Sequence, residues 1–213
     1  AGYLNVTGAD NLFLGYQAGY RTLSSQNVII GTEAGRNIGG GAGANILIGY
    51  RAGFNGETGD EPNNSANNNV FIGNSSAGSN GNSGTVPNFI ATSCIGIGAL
   101  SLAYVTSGSY NTAIGRYSSY SVTSGEKNVS IGYQSLQRGT TTDNNTMIGY
   151  QTGQKIGTGN DNVAIGIYAL GGGDDTTANN TAHSNVAIGI ESCGGDTHDS
   201  DGSALTGYYN VCV

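Results

Sequence analysis

Residues 128–166 read NVSIGYQSLQRGTTTDNNTMIGYQTGQKIGTGNDNVAIG, and this stretch decides the fold. A pentad of the form Asn-β-x-Ile-Gly, in which β is Val or Thr, begins at Asn128, Asn145 and Asn162 with a spacing of 17 residues. Self-similarity at a fixed period is typical of repeat proteins, in which each repeat is one structural unit. Asparagine opens the pentad at ten positions: Asn11, Asn27, Asn45, Asn69, Asn111, Asn128, Asn145, Asn162, Asn185 and Asn210. Cys94 opens a variant copy, which makes eleven.

Insertions interrupt the period in four intervals. They are rich in Gly, Asn, Asp, Ser and Thr and lie near residues 54–68, 79–93, 171–184 and 194–209. Both termini cut through a repeat, since Ala1-Gly2-Tyr3 matches Ala18-Gly19-Tyr20 of the next copy. We therefore expect one repeat array over residues 1–213, either as a segment of a longer fibre or with ends that complete a rung between subunits.

The composition favours strands and turns. The chain has 38 glycines but only 2 prolines and 10% charged residues, which excludes collagen and argues against disorder. Good helix formers are scarce, whereas Val, Ile, Thr, Tyr, Asn and Gly dominate. The sequence thus predicts an all-β fold, a parallel β-solenoid of about eleven rungs with a 17-residue basic repeat and almost no helix.

Alternation along each pentad predicts which residues are buried. The residue after Asn and the residue two further on are almost always Val, Ile or Leu, and we expect these two columns to form the core. The middle position, which carries no charge, is then expected to face outward and to pack against other copies, most simply as a parallel trimer. The asparagines are expected to form a hydrogen-bonded ladder between rungs, and the motif glycines to mark the end of each strand.

The repeats NTAIGRYSS from Asn111, NVSIGYQSL from Asn128, NTMIGYQTG from Asn145 and NVAIG from Asn162 resemble those of known surface proteins. They are similar to repeats in the head domains of YadA-like trimeric autotransporter adhesins, and more similar to the NTAIGYQAL-type repeats of phage tail fibres. This resemblance covers essentially the whole chain. It implies a left-handed β-roll, a homotrimer, and display on a virion or bacterial surface for attachment. The four long intervals depart from both patterns.

Several function classes are disfavoured. The net charge is −7, and the few basic residues form no stripe that would bind nucleic acid. No apolar stretch is long enough to cross a membrane. The two histidines, His183 and His198, are interpreted as loop residues, and no nucleophile motif accompanies them. We therefore expect no enzyme activity and no cofactor, with Ca²⁺ as the one open possibility.

The Ca²⁺ hypothesis rests on acidic, glycine-rich runs at nearly the same phase of two neighbouring rungs. Stacking would bring their carboxylates together, and Ca²⁺ prefers six to eight oxygen ligands. The candidate ligands are Asp174, Asp175, Asp196, Asp199 and Asp201. The alternative is that both runs are solvated loops.

Tyrosines and cysteines complete the set of candidate residues. Tyr16, Tyr50, Tyr133 and Tyr150 follow the motif glycine, and their fixed phase favours a stack along the fibre over a surface for glycan or protein contact. Cys94, Cys193 and Cys212 fall in different columns of the repeat. They are therefore expected to be small buried fillers, with Cys193 and Cys212 not paired.

The sequence predicts a structural segment of an extracellular fibre, phage tail-fibre-like or adhesin-like, that supports attachment. One alternative is a module that binds a cell-surface glycan or protein receptor through its insertion loops. Another is a subunit of a head-to-tail filament. The expected location is outside the cell, on a virion appendage or a bacterial surface.

Overall fold

The computed structural model describes residues 1–39, 43–54, 66–78, 90–171, 181–193 and 209–213. Eleven short strands form a single parallel sheet in which they follow one another in sequence order. The described ranges contain no helix. The strands are β1 Leu12–Leu14, β2 Val28–Ile30, β3 Ile46–Ile48, β4 Val70–Ile72, β5 Ile95–Ile97, β6 Thr112–Ile114, β7 Val129–Ile131, β8 Thr146–Ile148, β9 Val163–Ile165, β10 Val186–Ile188 and β11 Val211–Cys212.

The pentads lie directly over one another, so each strand with the residues that follow it forms one rung. Val129 of β7 pairs with Thr146 of β8, and Ile131 pairs with Ile148. Hydrogen bonds between rungs continue beyond the strands, for example from Leu136 N–H to the Thr152 carbonyl at 3.0 Å. The predicted all-β parallel solenoid of about eleven rungs is thus confirmed.

The predicted orientation of the strands is wrong. The middle residue of each pentad faces the interior: Ile29, Leu47 and Met147 are at most 1% exposed. The flanking Val and Ile columns, expected in the core, lie on the outside, where Ile46 and Ile165 are 38% and 39% exposed. Many of the strands have apolar residues at all three positions, so they show no alternation that would identify the buried side. The prediction places the two flanking residues, which are mostly Val and Ile, inward.

The packing of two columns of side chains against each other explains why the inward-facing strand residues vary in size. A second interior column is formed by the fourth residue after each motif glycine, and it lies against the middle residues of the strands. Where the strand residue is large, the second column has glycine or alanine: a Cβ built on Gly53 would lie 2.9 Å from the Leu47 methyl carbons, and one on Gly153 would lie 2.6 Å from Met147 Sδ.

The converse holds in other rungs, where the strand residue is small and the second column is large. Ala164 precedes Leu170, Ser130 precedes Leu136 and Gly96 precedes Leu102, and these three leucines are at most 2% exposed. In these rungs the bulky apolar side chain comes from one of two sides, whereas the sixth rung has two small residues, Ala113 and Ser119. Because interiors are packed to nearly uniform density, this exchange keeps the spacing of the rungs constant.

The motif glycine is required by backbone geometry. Gly73 has φ +139°, and a Cβ built there would lie 2.6 Å from the Gly98 carbonyl oxygen of the next rung. A side chain at this position would both strain the backbone and push neighbouring rungs apart. The stacking of one motif glycine on the next is therefore part of the fold.

The asparagines at the start of each pentad form a buried hydrogen-bonded column. Asn145 donates its backbone N–H and its Nδ2 to Asn128 Oδ1, both at 3.0 Å, and Asn162 makes the same pair of bonds to Asn145 Oδ1. The pattern runs from Asn11 to Asn69 and from Asn111 to Asn210. Each amide satisfies a buried polar group of its neighbour, which would otherwise cost stability.

Cys94 separates the two runs of the asparagine column. Its backbone N–H still donates to Asn69 Oδ1 at 2.9 Å, and its thiol donates to the Gly108 carbonyl at 3.3 Å. A thiol is a weak acceptor, and the hydrogen bonds between Cys94 and Asn111 lower the thiol pKa by less than burial raises it. Burial raises the pKa of the Cys94 thiol to about 11.

The expectation that Cys193 and Cys212 are unpaired is also wrong, because they form a disulfide with a Cα–Cα distance of 5.5 Å. Cys193 belongs to the second interior column, and Cys212 is the middle residue of the next strand. The equivalent residues four rungs earlier, Ser119 and Ser130, are also in contact, with their Oγ atoms 2.6 Å apart. The prediction failed because it placed Cys212 on the outside of the strand.

Candidate functional site

The outer face of the sheet is the largest candidate site on the described residues. We use "outer face" for the two exposed columns that flank the middle residue of each strand. Apart from Thr112 and Thr146 these columns contain only Val, Ile and Leu, and none of them carries a charge. The columns are Leu12, Val28, Ile46, Val70, Ile95, Thr112, Val129, Thr146, Val163, Val186 and Val211, and Leu14, Ile30, Ile48, Ile72, Ile97, Ile114, Ile131, Ile148, Ile165, Ile188 and Val213.

The size of the outer face makes it a candidate contact surface. Three residues span about 10 Å and eleven rungs about 50 Å, so the face covers on the order of 500 Å². The largest apolar patch of a monomeric soluble protein is typically about 300–600 Å² and is often functional, and the outer face falls in this range. Burying it against another surface would be favourable at roughly 25 cal/mol per Å² of apolar area removed from water.

One border of the outer face, the tyrosine edge, consists of the residues one, two, five and six positions after each motif glycine. Six of its tyrosines form a chain of ring contacts with centroid distances between 5.0 and 6.4 Å. Arg116 lies 4.8 Å above the Tyr117 ring. The chain runs in the order Tyr104, Tyr120, Tyr117, Tyr133, Tyr150 and Tyr168.

Near the N-terminus of the protein, the tyrosine edge contains an ion cluster. Glu33 accepts from Arg36 at 3.2 Å and from Arg51 at 2.6 Å, so it bridges two rungs. Arg51 also lies 5.0 Å from the Phe54 ring centroid and 5.1 Å from that of Tyr50. Farther along, Gln154 donates to Gln137 Oε1 at 2.9 Å. The tyrosine edge is therefore held in place by contacts among its own side chains.

The opposite border, the asparagine edge, consists of the two residues before each ladder position. Here a side chain accepts the backbone N–H of the preceding rung: Asp143 Oδ1 from Glu126 at 2.7 Å, and Asn160 Oδ1 from Asp143 at 2.8 Å. Ser25, Ser109 and His183 act in the same way, with His183 accepting from Asn160 N–H at 3.0 Å through Nδ1. The sequence analysis missed this second ladder, although polar acceptors two residues before Asn were its visible sign.

The residues named for Ca²⁺, Asp174, Asp175, Asp196, Asp199 and Asp201, lie outside the described residues, as does His198. The same is true of most of the four insertion loops. Among the residues that are described, no group of three or more His, Cys, Asp or Glu is placed to hold a metal ion. The Ca²⁺ site and the loop-based receptor site therefore stay predictions.

Within the described ranges, no helix is present that could span a membrane. No family model, curated protein or solved structure matches the chain.

Proposed function

We propose that the chain is a structural segment of an extracellular fibre or appendage that supports attachment, and that it works as a homo-oligomer, most simply a parallel trimer. The observation that carries this proposal is the outer face. A solenoid with an uncharged, largely apolar face along all its rungs loses that exposure when other copies cover it. Stiffness and reach are then the properties that the protein supplies.

The bonding between rungs supports a mechanical role. Successive rungs are linked by strand hydrogen bonds and by the backbone bonds of the second segment, and also by the asparagine column on either side of Cys94. Bending the solenoid would stretch all of these on one side at once. A rod about 50 Å long built in this way keeps a binding tip at a fixed distance from a surface.

The disulfide supports a location outside the reducing cytosol. Cys193 and Cys212 are bonded, and such bonds persist mainly in secreted, periplasmic and virion-surface proteins. They connect the last two rungs of the chain. A virion appendage and a bacterial cell surface fit this equally well.

The mass of the protein in solution tests the proposal. Light scattering coupled to size-exclusion chromatography is expected to give about three times the 21.5 kDa of one chain. A monomeric mass over the micromolar range would contradict the proposal.

A variant of the outer face gives a matched test. Ile131→Lys combined with Ile165→Lys places charges on two rungs of this face and is expected to shift the protein toward monomer, because unpaired charges are costly to bury. Thr141→Lys, an exposed position away from the outer face, is the control and is expected to keep the oligomeric mass. Circular dichroism checks that both variants keep their strands.

A further inference from the structure

The tenth rung has no large side chain in its interior, and the Cys193–Cys212 disulfide joins it to the eleventh. Its strand supplies Ala187, and its second interior column supplies Cys193. Among the rungs whose two interior residues are both described, only the sixth also has two small residues, Ala113 and Ser119. Each of the others has Leu, Ile, Phe or Met at one of the two positions.

The sixth rung shows what accompanies a missing large side chain. Ser119 Oγ lies 2.6 Å from Ser130 Oγ, which belongs to the strand of the next rung. Cys193 and Cys212 occupy the two equivalent positions, where a covalent bond stands instead of a hydrogen bond. In both rungs a side-chain bond to the next strand therefore replaces the contact that a large interior residue makes elsewhere.

Few other described contacts hold β11 on β10. Val186 N–H donates to the Asn210 carbonyl at 2.8 Å, and Asn210 N–H donates to the side chain of the preceding ladder asparagine at 2.9 Å. Val211 and Val213 are 72% and 95% exposed, and among residues 209–213 only Cys212 is half-buried. Hydrogen bonds at such an edge contribute little, because water replaces them when the strand detaches. The docking of β11 thus depends on the bond between the two sulfurs.

Thiol–disulfide exchange can reach this bond and is confined to it. Cys193 and Cys212 are both partly exposed, and exposed disulfides are among those that thiols reduce most readily. Cys94, the third cysteine, is fully buried, and burial raises the pKa of its thiol to about 11. Because the thiolate is the attacking species, Cys94 does not take part in the exchange.

We propose that the Cys193–Cys212 disulfide is a redox latch, which keeps β11 docked on β10 when it is oxidised and releases β11 when it is reduced. Release leaves the N–H and C=O groups on this side of β10 without a strand partner. The eleventh rung is then completed only under oxidising conditions. This inference does not depend on self-association.

The latch closes by exchange with a low-molecular-weight disulfide. One cysteine thiolate attacks that disulfide, forms a mixed disulfide and expels one small thiolate. The other cysteine thiolate then attacks the cysteine sulfur of the mixed disulfide and expels the second. The two protons of the cysteine thiols end on the two small thiols, so two cysteines are oxidised and one small disulfide is reduced. A small dithiol reverses these steps.

Amide hydrogen exchange before and after reduction with dithiothreitol tests the latch. The Val186 amide reports the docking of β11, and the Val163 amide, which donates to the Asn185 carbonyl at 2.8 Å, is the matched control one rung earlier. A cross-link over a loop of this length favours the docked strand by about a hundredfold, so reduction is expected to speed exchange at Val186 by about that factor. Exchange at Val163 is expected to stay the same. Thiol titration of the denatured protein checks that reduction is complete.

Two double variants separate the latch from the packing of the rung. Cys193→Ala with Cys212→Ala is expected to exchange fast at Val186 with or without dithiothreitol. Cys193→Leu with Cys212→Ala gives the tenth rung the arrangement of the ninth, where Leu170 is native in the same backbone conformation. This variant is expected to keep Val186 protected under both conditions, because a buried leucine takes the place of the bond.

Equal protection of Val186 in the oxidised and the fully reduced wild type would overturn the latch. A leucine variant that is no better protected than the alanine variant would overturn the exchange of a large side chain for the bond. Loss of protection at Val163 to the same extent as at Val186 would also contradict the proposal, because the disulfide would then hold the whole array and not one strand.

Discussion

In the third rung the strand supplies Leu47 and the second interior column supplies Gly53, whereas in the ninth rung the strand supplies Ala164 and the second column supplies Leu170. The two rungs have the same backbone arrangement, with φ of +61° at Gly53 and +54° at Leu170. The comparison teaches that the large interior side chain of a rung can come from either the strand or the second column. Residue identity at one position is therefore informative only together with its partner.

The largest effect is expected in the ninth rung. Leu170→Ala removes the bulky side chain where the strand has only Ala164, and large-to-small changes in a core cost about 2 to 5 kcal/mol. Adding Ala164→Leu to this variant is expected to recover much of the loss, since it converts the rung to the arrangement of the third. Denaturant unfolding at one protein concentration measures both. A loss below about 1 kcal/mol would mean that the interior is not closely packed there.

The reverse exchange is expected to give a smaller loss in the third rung. Gly53→Leu places a second large side chain against Leu47, and overpacking costs about 1 to 3 kcal/mol. Combining it with Leu47→Ala is expected to relieve the clash, because leucine is native in the same backbone conformation at position 170. Additive losses in the two single variants, with no coupling in the double-mutant cycle, would show that the columns do not share space.

The smallest effect is expected in the fifth rung. This is the first rung in which the large interior side chain comes from the second column instead of the strand, and here Cys94 replaces a ladder asparagine. Burial raises the pKa of the Cys94 thiol to about 11, above its ordinary 9.0, so folding favours the neutral thiol. The contribution of the Cys94 thiol to the free energy of unfolding is fully present below pH 9 and is lost as the pH rises toward 11. At pH 10 the free energy of unfolding is lower by about 1 kcal/mol than it is below pH 9, on account of this thiol.

Cys94→Ser removes this titration and serves as the control. The unfolding free energy of the wild type is expected to fall more steeply than that of Cys94→Ser between pH 9 and 11. All other residues are the same in the two proteins, so their contribution to the pH dependence cancels in the comparison. Parallel pH profiles would show that the Cys94 thiol ionises as easily in the folded as in the unfolded state.

Much of the fold could be predicted from the sequence because the pentad fixes the register. A column of buried asparagines that bond to each other tolerates no slip, so the strand starts at Asn128, Asn145 and Asn162 could be read directly. Which side of the strand faces inward could not be predicted, because none of its three positions carries a charge and the middle position ranges from glycine to phenylalanine. The evidence for it lay in a correlation between two positions six residues apart, such as Leu47 with Gly53 and Ala164 with Leu170.

The same error about which side of the strand faces inward hid two other features. With Cys212 placed outside, its disulfide with Cys193 could not be foreseen, although both belong to interior columns that touch in every rung. With the Val and Ile columns placed inside, the surface expected to meet other copies was assigned to the middle residues. That ground for self-association is wrong, because the middle residues lie in the interior; the proposal rests instead on the Val and Ile columns of the outer face.

The asparagine column also separates register from chain length. Successive ladder asparagines are 17 residues apart at β7 and β8 but 24 apart at β3 and β4, and the hydrogen bonds between them are alike. The entropic cost of a longer connection grows only slowly with its length. The solenoid can thus accept foreign peptides between rungs without losing its alignment. This makes it a scaffold on which new recognition segments can be grafted, one per rung, at a spacing of about 5 Å.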